Sequence, residues 1–183
     1  VVRRAPYISD AVHLAGRRLI VPDFLGNRAP FANPDATAVI AGLTLRSDVD
    51  DLIATYVAAI TGIGYGLRQI LEAQAEQGIC PKAIAISGGA GRTATVKQLL
   101  ADASGLPVLS TTTSEPVLLG AAMLGAVGAR HFATLKDAME EMSSIAERFS
   151  PAGAPPSGLH QARFEAFENL QAAEHYLGKA LLG

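Results

Sequence analysis

A strand that runs into paired glycines and then into a helix constrains the fold of this chain more than any other feature. The apolar, β-branched run at residues 82–86 ends just before Gly88 and Gly89, and a helical pattern over residues 93–104 follows. A second apolar run comes next, at residues 106–110. Strand, helix and strand in this order predict two parallel strands joined by a crossover, and therefore an α/β domain.

The same glycines predict a nucleotide site. Because Gly88 and Gly89 carry no Cβ, a ligand can lie directly against their main chain. The unpaired N–H groups and the positive dipole end of the following helix favour an anion or an electron-rich ring edge. Nucleotides are held in this way at the carboxyl ends of strands in open α/β sheets. A tight turn without any ligand is the alternative, and it is the commoner meaning of paired glycines at such a junction.

Composition excludes several classes of protein. With 183 residues, of which 49% are hydrophobic and 17% charged, the chain suits one packed domain with an appended helix and not a disordered protein. A net charge of −2 gives no electrostatic reason to expect nucleic acid, and no apolar run approaches the roughly 18 residues of a membrane helix. The four histidines are far apart, so no metal cluster is expected.

The single cysteine and the first residue carry two further expectations. Cys80 excludes an internal disulfide and fits a reducing compartment, and we expect its thiol to be buried and inert. The chain begins at Val1 without an initiator methionine, which suggests a piece of a longer protein.

A long central helix is predicted between Ser47 and Gly78. Ser47 suits the N-cap, acidic residues occupy the first turn, and Gly78 suits the stop. Three glycines in its middle, Gly62, Gly64 and Gly66, each cost about 1 kcal/mol relative to alanine. That cost predicts a second backbone packed closely against this helix.

The remaining pattern predicts strands before this helix and more helices after the crossover. A turn-rich loop separates strand candidates at residues 19–21 and 38–43. A nearly smooth helix of small residues, 117–129, is predicted to lie against a sheet or another helix, and an amphipathic helix is predicted over 134–148. A Pro/Gly/Ser-rich linker, 150–158, precedes a last helix that runs from residue 159 to about 182.

Several segments, in order and at familiar distances, resemble the carboxyl-terminal domain of the FGGY sugar kinases. The matching segments are residues 22–30 (PDFLGNRAP) with 33–35 (NPD), 42–45 (GLTL), 86–90 (ISGGA), 101–102 (AD) with 105–108 (GLPV), and 115–122 (EPVLLGAA). Within the family, the first of these segments resembles the ribulokinase and ribitol-kinase branch.

This resemblance implies an actin-like, ribonuclease-H-like α/β domain with a mixed sheet flanked by helices. It would be the second of two domains in an ATP-dependent kinase, with residues 1–150 forming the domain and 151–183 a linker and terminal helix packed on the same or the missing domain. ATP with Mg²⁺ would lie between the domains, and a pentulose or pentitol, such as ribulose or ribitol, deeper and mostly on the amino-terminal one. The family also implies a cytoplasmic enzyme that often forms homodimers.

The resemblance assigns nucleotide contacts to Gly88, Gly89, Ala90, Thr93 and Thr44. In the family the second glycine contacts the nucleotide, which corresponds to Gly89, and the position of Thr93 usually carries an asparagine at the adenine end. Thr93 has a hydroxyl but no amide, so weaker adenine contact or looser nucleotide choice is expected. Thr44 would approach the phosphates, and the alternative is that it only forms a turn or a cap.

A loop cluster of Asp23, Asn27 and Arg28 suits recognition of a polyol or a phosphate. The alternative is that Asp23 and Asn27 shape turns while Arg28 pairs with Asp35 or Asp23. The family's aspartate base and its phosphate-binding Asp-x-Gly-Thr turn belong to the amino-terminal domain and are not found here. We therefore expect no catalytic or metal-ligating residue in this chain, and no catalysis by the chain alone.

A second hypothesis is a non-catalytic nucleotide-sensing or interaction module derived from a degenerate kinase, which the departure at Thr93 favours. A third, another actin-like ATPase such as an acetate-kinase or heat-shock relative, is disfavoured by the loop at residues 26–30 (GNRAP).

Overall fold

A computed structural model describes residues 1, 3–5, 7–113, 115–153 and 156–182. After a 3-10 helix at Ile8–Ala15, the order of elements is β1 (Leu19–Val21), β2 (Val39–Ala41), α1 (Val49–Glu76), β3 (Ile84–Ile86), a short 3-10 helix (Gly89–Arg92), α2 (Ala94–Ser104), β4 (Val108–Thr111), α3 (Pro116–Gly128), α4 (Leu135–Met142), β5 (Ile145–Phe149) and α5 (Pro156–Leu182).

The described strands form two sheets. Strand β1 pairs antiparallel with β2, while β3 pairs parallel with β4, and β5 adds antiparallel to β4. The parallel pair joined by α2 confirms the predicted strand, helix and strand unit. The second sheet is mixed and lies against helix α2, so the predicted α/β class is confirmed.

Helix α1 ends where the sequence predicts, but its cap is one residue later. The carboxylate of Asp48, not the hydroxyl of Ser47, accepts the hydrogen bond from the backbone N–H of Asp51 at 2.9 Å. The reason is that the helix begins at Val49, so Asp48 occupies the N-cap position. Gly78, with φ +78°, ends the helix in the left-handed conformation that glycine adopts without strain.

Two of the three glycines within α1 confirm the predicted close approach. A Cβ added to Gly62 would lie 2.2 Å from the carbonyl oxygen of Ile20 in β1, and one added to Gly64 would lie 2.5 Å from the Cβ of Ala103 in α2. An added Cβ at Gly66 meets nothing within 4 Å, so the prediction is wrong there. Glycine therefore lets α1 contact β1 and α2 at backbone distance.

Helix α5 closes the core around Tyr65 of α1. Tyr65 is fully buried, packs edge-on against Phe167 at 5.8 Å between ring centroids, and its hydroxyl lies 3.0 Å from Nδ1 of His160. Burial raises the pKa of Tyr65 to about 12 and lowers the pKa of His160 to about 4, with the charge of Arg163 lowering the latter further. The predicted last helix is confirmed, although it begins at Pro156; residues 154 and 155 of the linker lie outside the described residues.

The single helix predicted over residues 134–148 is wrong. Helix α4 ends at Met142, and Ile145–Phe149 forms strand β5 instead. The reason is tertiary, because β5 completes the sheet beside β4 and brings Glu147 to the ammonium group of Lys97, a buried side chain of α2. The ion pair of Lys97 with Glu147 and the backbone pairing of β5 with β4 together stabilise the strand more than the local helical pattern stabilises a helix there.

Helix α3 does not have the close packing that its small residues predict. Val117, Leu118 and Leu124 are mostly exposed, and Met123 is its one buried residue among those described. Helix α4 is its principal neighbour. A helix that is apolar on all sides is normally covered, so a bare apolar face remains on this side of the domain.

The surface corrects one more expectation. Cys80, in the turn after α1, is exposed and not buried. Among the helices that the structure describes, none is long and apolar enough to cross a membrane.

Candidate nucleotide site

The turn after β3 has the open main chain that the sequence predicts. Gly88 has φ +74° and ψ −158°, a conformation essentially restricted to glycine. Gly89 then begins a 3-10 turn that continues through Ala90 to Arg92. A Cβ added to Gly88 or to Gly89 meets nothing within 4 Å, so a ligand can reach the backbone there.

The start of helix α2 adds unpaired polar groups beside this turn. Thr93 is the N-cap residue, yet its side chain forms no hydrogen bond to the helix, and it is exposed. The backbone N–H of Lys97 donates to the carbonyl of Thr93 at 3.2 Å, which begins the helical bonding. The N–H groups of the first turn before Lys97 have no acceptor within the helix, and an anion there would meet the positive end of the helix dipole.

An open groove of about 450 Å³ joins the start of α2 to helix α1. Its lining includes Thr93 and Thr95 on one side and Leu52, Ile53 and Tyr56 of α1 on the other. Apolar walls with a few hydroxyl groups are typical of a site for a flat ring system. Sequence reasoning missed the three α1 residues because they belong to a helical stripe that predicts core, and only the fold shows that Leu52 and Tyr56 are exposed.

Thr44 does not line this groove. It lies in the exposed loop after β2, and its hydroxyl accepts a hydrogen bond from the backbone N–H of Arg46 at 3.3 Å. Arg46 in turn pairs with the carboxylate of Asp48, with 2.7 Å between Nη2 and Oδ2. These contacts support the turn-forming alternative for Thr44.

Asp23, Asn27 and Arg28 lie together, as expected, along a cavity of about 390 Å³ beside α1. Asn27 is buried, and its Nδ2 donates to the carboxylate of Asp23 at 3.2 Å. Arg28 is exposed, and the ion pairs of the described residues do not include one between Arg28 and Asp23 or Asp35. The turn-shaping alternative is thus supported for Asp23 and Asn27, while the expected pairing of Arg28 with Asp35 or Asp23 is not found among the described residues.

The model of the FGGY family of carbohydrate kinases, C-terminal domain, matches residues 7–129. This chain belongs to that family. The resemblance stated from its motifs is therefore confirmed.

Curated relatives are much longer than this chain. An FGGY carbohydrate kinase domain-containing protein of Xenopus laevis is 35% identical over 159 residues, which are 87% of this chain and 29% of the relative. A D-ribulokinase of Saccharomyces cerevisiae is 34% identical over 126 residues, 68% of this chain and 18% of the relative. The chain thus spans less than a third of the length of these proteins.

Solved structures share the fold. A ligand-bound xylulose kinase from Lactobacillus acidophilus superposes with a TM-score of 0.73 at 20% identity, over 91% of this chain and 34% of that one. A Plasmodium falciparum glycerol kinase with ADP gives a TM-score of 0.67 at 20% identity, over 90% of this chain and 33% of that one. The predicted actin-like fold of the sugar kinases is confirmed.

Proposed function

We propose that this chain is the nucleotide-binding carboxyl-terminal domain of an ATP-dependent kinase that phosphorylates a pentulose or pentitol, with ribulose or ribitol as the substrate. The observation that carries the proposal is the bare turn at Gly88 and Gly89, which leads into helix α2, where Thr93 and Thr95 line an open groove. The similarity to a yeast D-ribulokinase and the resemblance of the loop at residues 22–30 to that branch support this sugar class, and glycerol is the rival substrate because glycerol kinases are similar to the chain at comparable identity.

In this proposal the groove holds the base and the turn supports the phosphates. Tyr56 and Thr93 offer an aromatic face and a free hydroxyl to the base. The main chain at Gly89 and the first-turn N–H groups of α2 suit the negative charge of the phosphates. Ala90 belongs to the same turn, and Thr44, which lies outside the groove, would approach only the phosphates. Asp23, Asn27 and Arg28 are the proposed sugar contacts.

The chemistry is divided between two domains. Phosphoryl transfer depends on positioning and on charge stabilisation, to which Mg²⁺ contributes by bridging the phosphates. The described residues hold no group of three or more His, Cys, Asp or Glu side chains that could bind a metal, so Mg²⁺ would be held through the phosphates and the other domain. Residues 1–150 form the carboxyl-terminal domain, 151–183 its linker and terminal helix, and the catalytic base lies on an amino-terminal domain.

The bare face of α3 supports the two-domain proposal. Val117, Leu118 and Leu124 lie exposed on a helix without a single charged residue, and such a helix is normally buried. Docking of an amino-terminal domain would cover it. A homodimer in the cytoplasm completes the proposal, and the exposed thiol of Cys80 suits a reducing compartment.

The test separates binding from catalysis. Titration calorimetry should show that the 183-residue chain binds Mg-ADP weakly, and an assay with Mg-ATP and the sugars should show no phosphate transfer by this chain alone. The complete protein, assayed with ATP against pentuloses, pentitols and glycerol, should prefer ribulose or ribitol by about tenfold or more in kcat/KM, a difference of about 1.4 kcal/mol in transition-state binding. Absence of nucleotide binding by the chain together with an inactive complete protein would refute the proposal.

A second candidate is a non-catalytic nucleotide sensor. The observation that favours it is Thr93, a hydroxyl where the family usually presents an amide. A complete protein that binds nucleotide tightly but phosphorylates no sugar or polyol in the panel would select this candidate. Replacement Thr93→Asn should then strengthen ADP binding without creating turnover.

A further inference from the structure

A separate cavity of about 400 Å³ lies between the turn-rich loop, helix α1 and helix α5. It shares no lining residue with the groove at the start of α2. Gln69 of α1 is a deeply buried member of its lining, with 7% of its surface exposed. The proposed nucleotide site makes no use of this cavity.

A chain of hydrogen bonds fixes the orientation of Gln69. The carboxylate of Asp23 can only accept, so Gln171 turns Nε2 toward it, at 3.2 Å from Oδ2. Gln171 therefore presents its oxygen to Gln69, whose Nε2 donates to it at 2.9 Å. The oxygen Oε1 of Gln69 is left buried and without a hydrogen-bond partner among the described residues. Such an unpaired buried acceptor costs about 1–3 kcal/mol unless something donates to it.

Two of the other polar residues of the cavity are carboxylates, and the remaining ones carry both donors and acceptors: Asn27, Asn33, Gln171 and His175. Glu168 and Glu174 of α5 line it, and Oε1 of Glu174 is already engaged by the N–H and hydroxyl of Thr37 at 2.9 and 2.8 Å. Among the described residues that line the cavity there is no lysine or arginine. Two carboxylates and a free amide oxygen disfavour a phosphate and favour a positively charged hydrogen-bond donor.

The apolar part of the lining suits the remainder of such a ligand. The ring of Phe31 and the methyl group of Ala172 face the cavity. An aromatic face attracts a cation, and apolar walls accommodate a short hydrocarbon chain. An ammonium group brings three donors and no acceptor, which matches the free groups of this site.

We propose that this cavity binds a small organic cation that carries a primary ammonium group, with Gln69 and Glu168 as its acceptors and Phe31 against its hydrocarbon part. The cavity shares Asn27 with the proposed sugar contacts, but Gln69, Glu168 and Phe31 belong to neither the proposed nucleotide site nor the proposed sugar site. It stands whether or not the chain forms half of a kinase, because it depends on no catalytic activity.

The test uses two probes with the same five-carbon chain, one ending in ammonium groups and the other in neutral hydroxyl groups, which donate fewer hydrogen bonds and also accept them. On the 183-residue chain, 1,5-diaminopentane should bind saturably in titration calorimetry, and 1,5-pentanediol about tenfold more weakly or worse, because charge-assisted hydrogen bonds are about twice as strong as neutral ones. Glu168→Gln should weaken diamine binding about tenfold by the same reasoning. Ala172→Leu, which fills the cavity without removing a polar group, should abolish it.

Glu165→Gln is the matched control. Glu165 is an exposed residue of α5 whose carboxylate accepts a hydrogen bond from Nε2 of Gln161, and it does not line the cavity. Its replacement by glutamine makes the same change in net charge as Glu168→Gln. Diamine binding should survive it unchanged. The proposal is overturned if the diamine does not bind saturably, if the diol binds equally well, if binding survives Ala172→Leu, or if Glu165→Gln weakens binding as much as Glu168→Gln. Circular dichroism of each variant checks that it is folded, and Glu168→Gln decides the matter if Ala172→Leu is not.

Discussion

At Gly62 and Gly64 the space beside the main chain is already filled, whereas at Gly88 and Gly89 it is open. An added Cβ at the first pair would lie 2.2 and 2.5 Å from atoms of β1 and α2, while at the second pair it would meet nothing within 4 Å. Both pairs lack a side chain, but for different physical reasons. The first pair permits two elements to touch, and the second leaves backbone accessible from outside.

Whether the space beside a glycine is filled or open distinguishes a glycine needed for packing from one needed for ligand access. A glycine needed for packing shows its role in the free energy of unfolding, and one needed for ligand access shows it in affinity. The free energy of unfolding and the affinity for a ligand can be measured independently on the same chain. Substituting one glycine at a time therefore tests which of the two roles each glycine has.

Gly62→Ala should have the largest effect. The new methyl group collides with the carbonyl oxygen of Ile20, which belongs to a buried strand and cannot yield without moving β1. We expect a loss of about 3 kcal/mol in the free energy of unfolding, measured by urea titration.

Gly66→Ala is the matched control in the same helix. Its added methyl group meets nothing within 4 Å, so removing backbone entropy from the unfolded chain should raise stability by about 0.5–1 kcal/mol. Equal effects of the two substitutions would show that helix propensity, and not contact with Ile20, explains the glycines of α1.

The packed side also contains a titratable group, and acid should weaken it. Burial holds the folded-state pKa of His160 at about 4, below its ordinary 6.5, so the unfolded chain binds the proton more readily. The stability contributed by neutral His160 is therefore complete above pH 6.5, falls as the pH drops toward 4, and falls no further below that. Over this window we expect a loss of about 3 kcal/mol.

His160→Gln keeps a hydrogen-bonding group near the hydroxyl of Tyr65 but does not titrate. Urea titrations between pH 7 and 4 should therefore show a flatter pH dependence for the variant than for the parent chain. His175→Gln makes the same replacement at an exposed position and serves as the control. Parallel slopes for the parent and His160→Gln would refute the assignment.

Local signals predicted the packed half of the molecule well. The stop at Gly78, the parallel pair around α2 and the tight approach at Gly62 all follow from backbone chemistry that neighbouring residues determine. Strand β5 could not be predicted in this way, because residues 145–149 continue a helical pattern and only their pairing with β4 makes them a strand.

The part of the candidate site that is local in sequence could be predicted, and the part that depends on tertiary contacts could not. Gly88, Gly89 and Thr93 are adjacent in sequence, so a motif identifies them together. Tyr56 reaches the groove from another helix, and nothing in its local pattern separates it from a core residue. The unpaired oxygen of Gln69 could not be predicted from the sequence, because it depends on hydrogen bonds that link Gln69 through Gln171 to Asp23.

The open pair of glycines should itself divide into two behaviours. Gly88→Ala forces a side chain into φ +74°, so we expect it to cost about 2 kcal/mol of stability. Gly89 has no positive φ, so Gly89→Ala should leave the urea midpoint unchanged. It should weaken Mg-ADP binding about tenfold, because the methyl group would occupy the space proposed for the nucleotide. Titration calorimetry on both variants measures the affinity. If Gly89→Ala binds Mg-ADP as well as the parent chain does, the open space above this turn serves no nucleotide, and the paired glycines only form a tight turn.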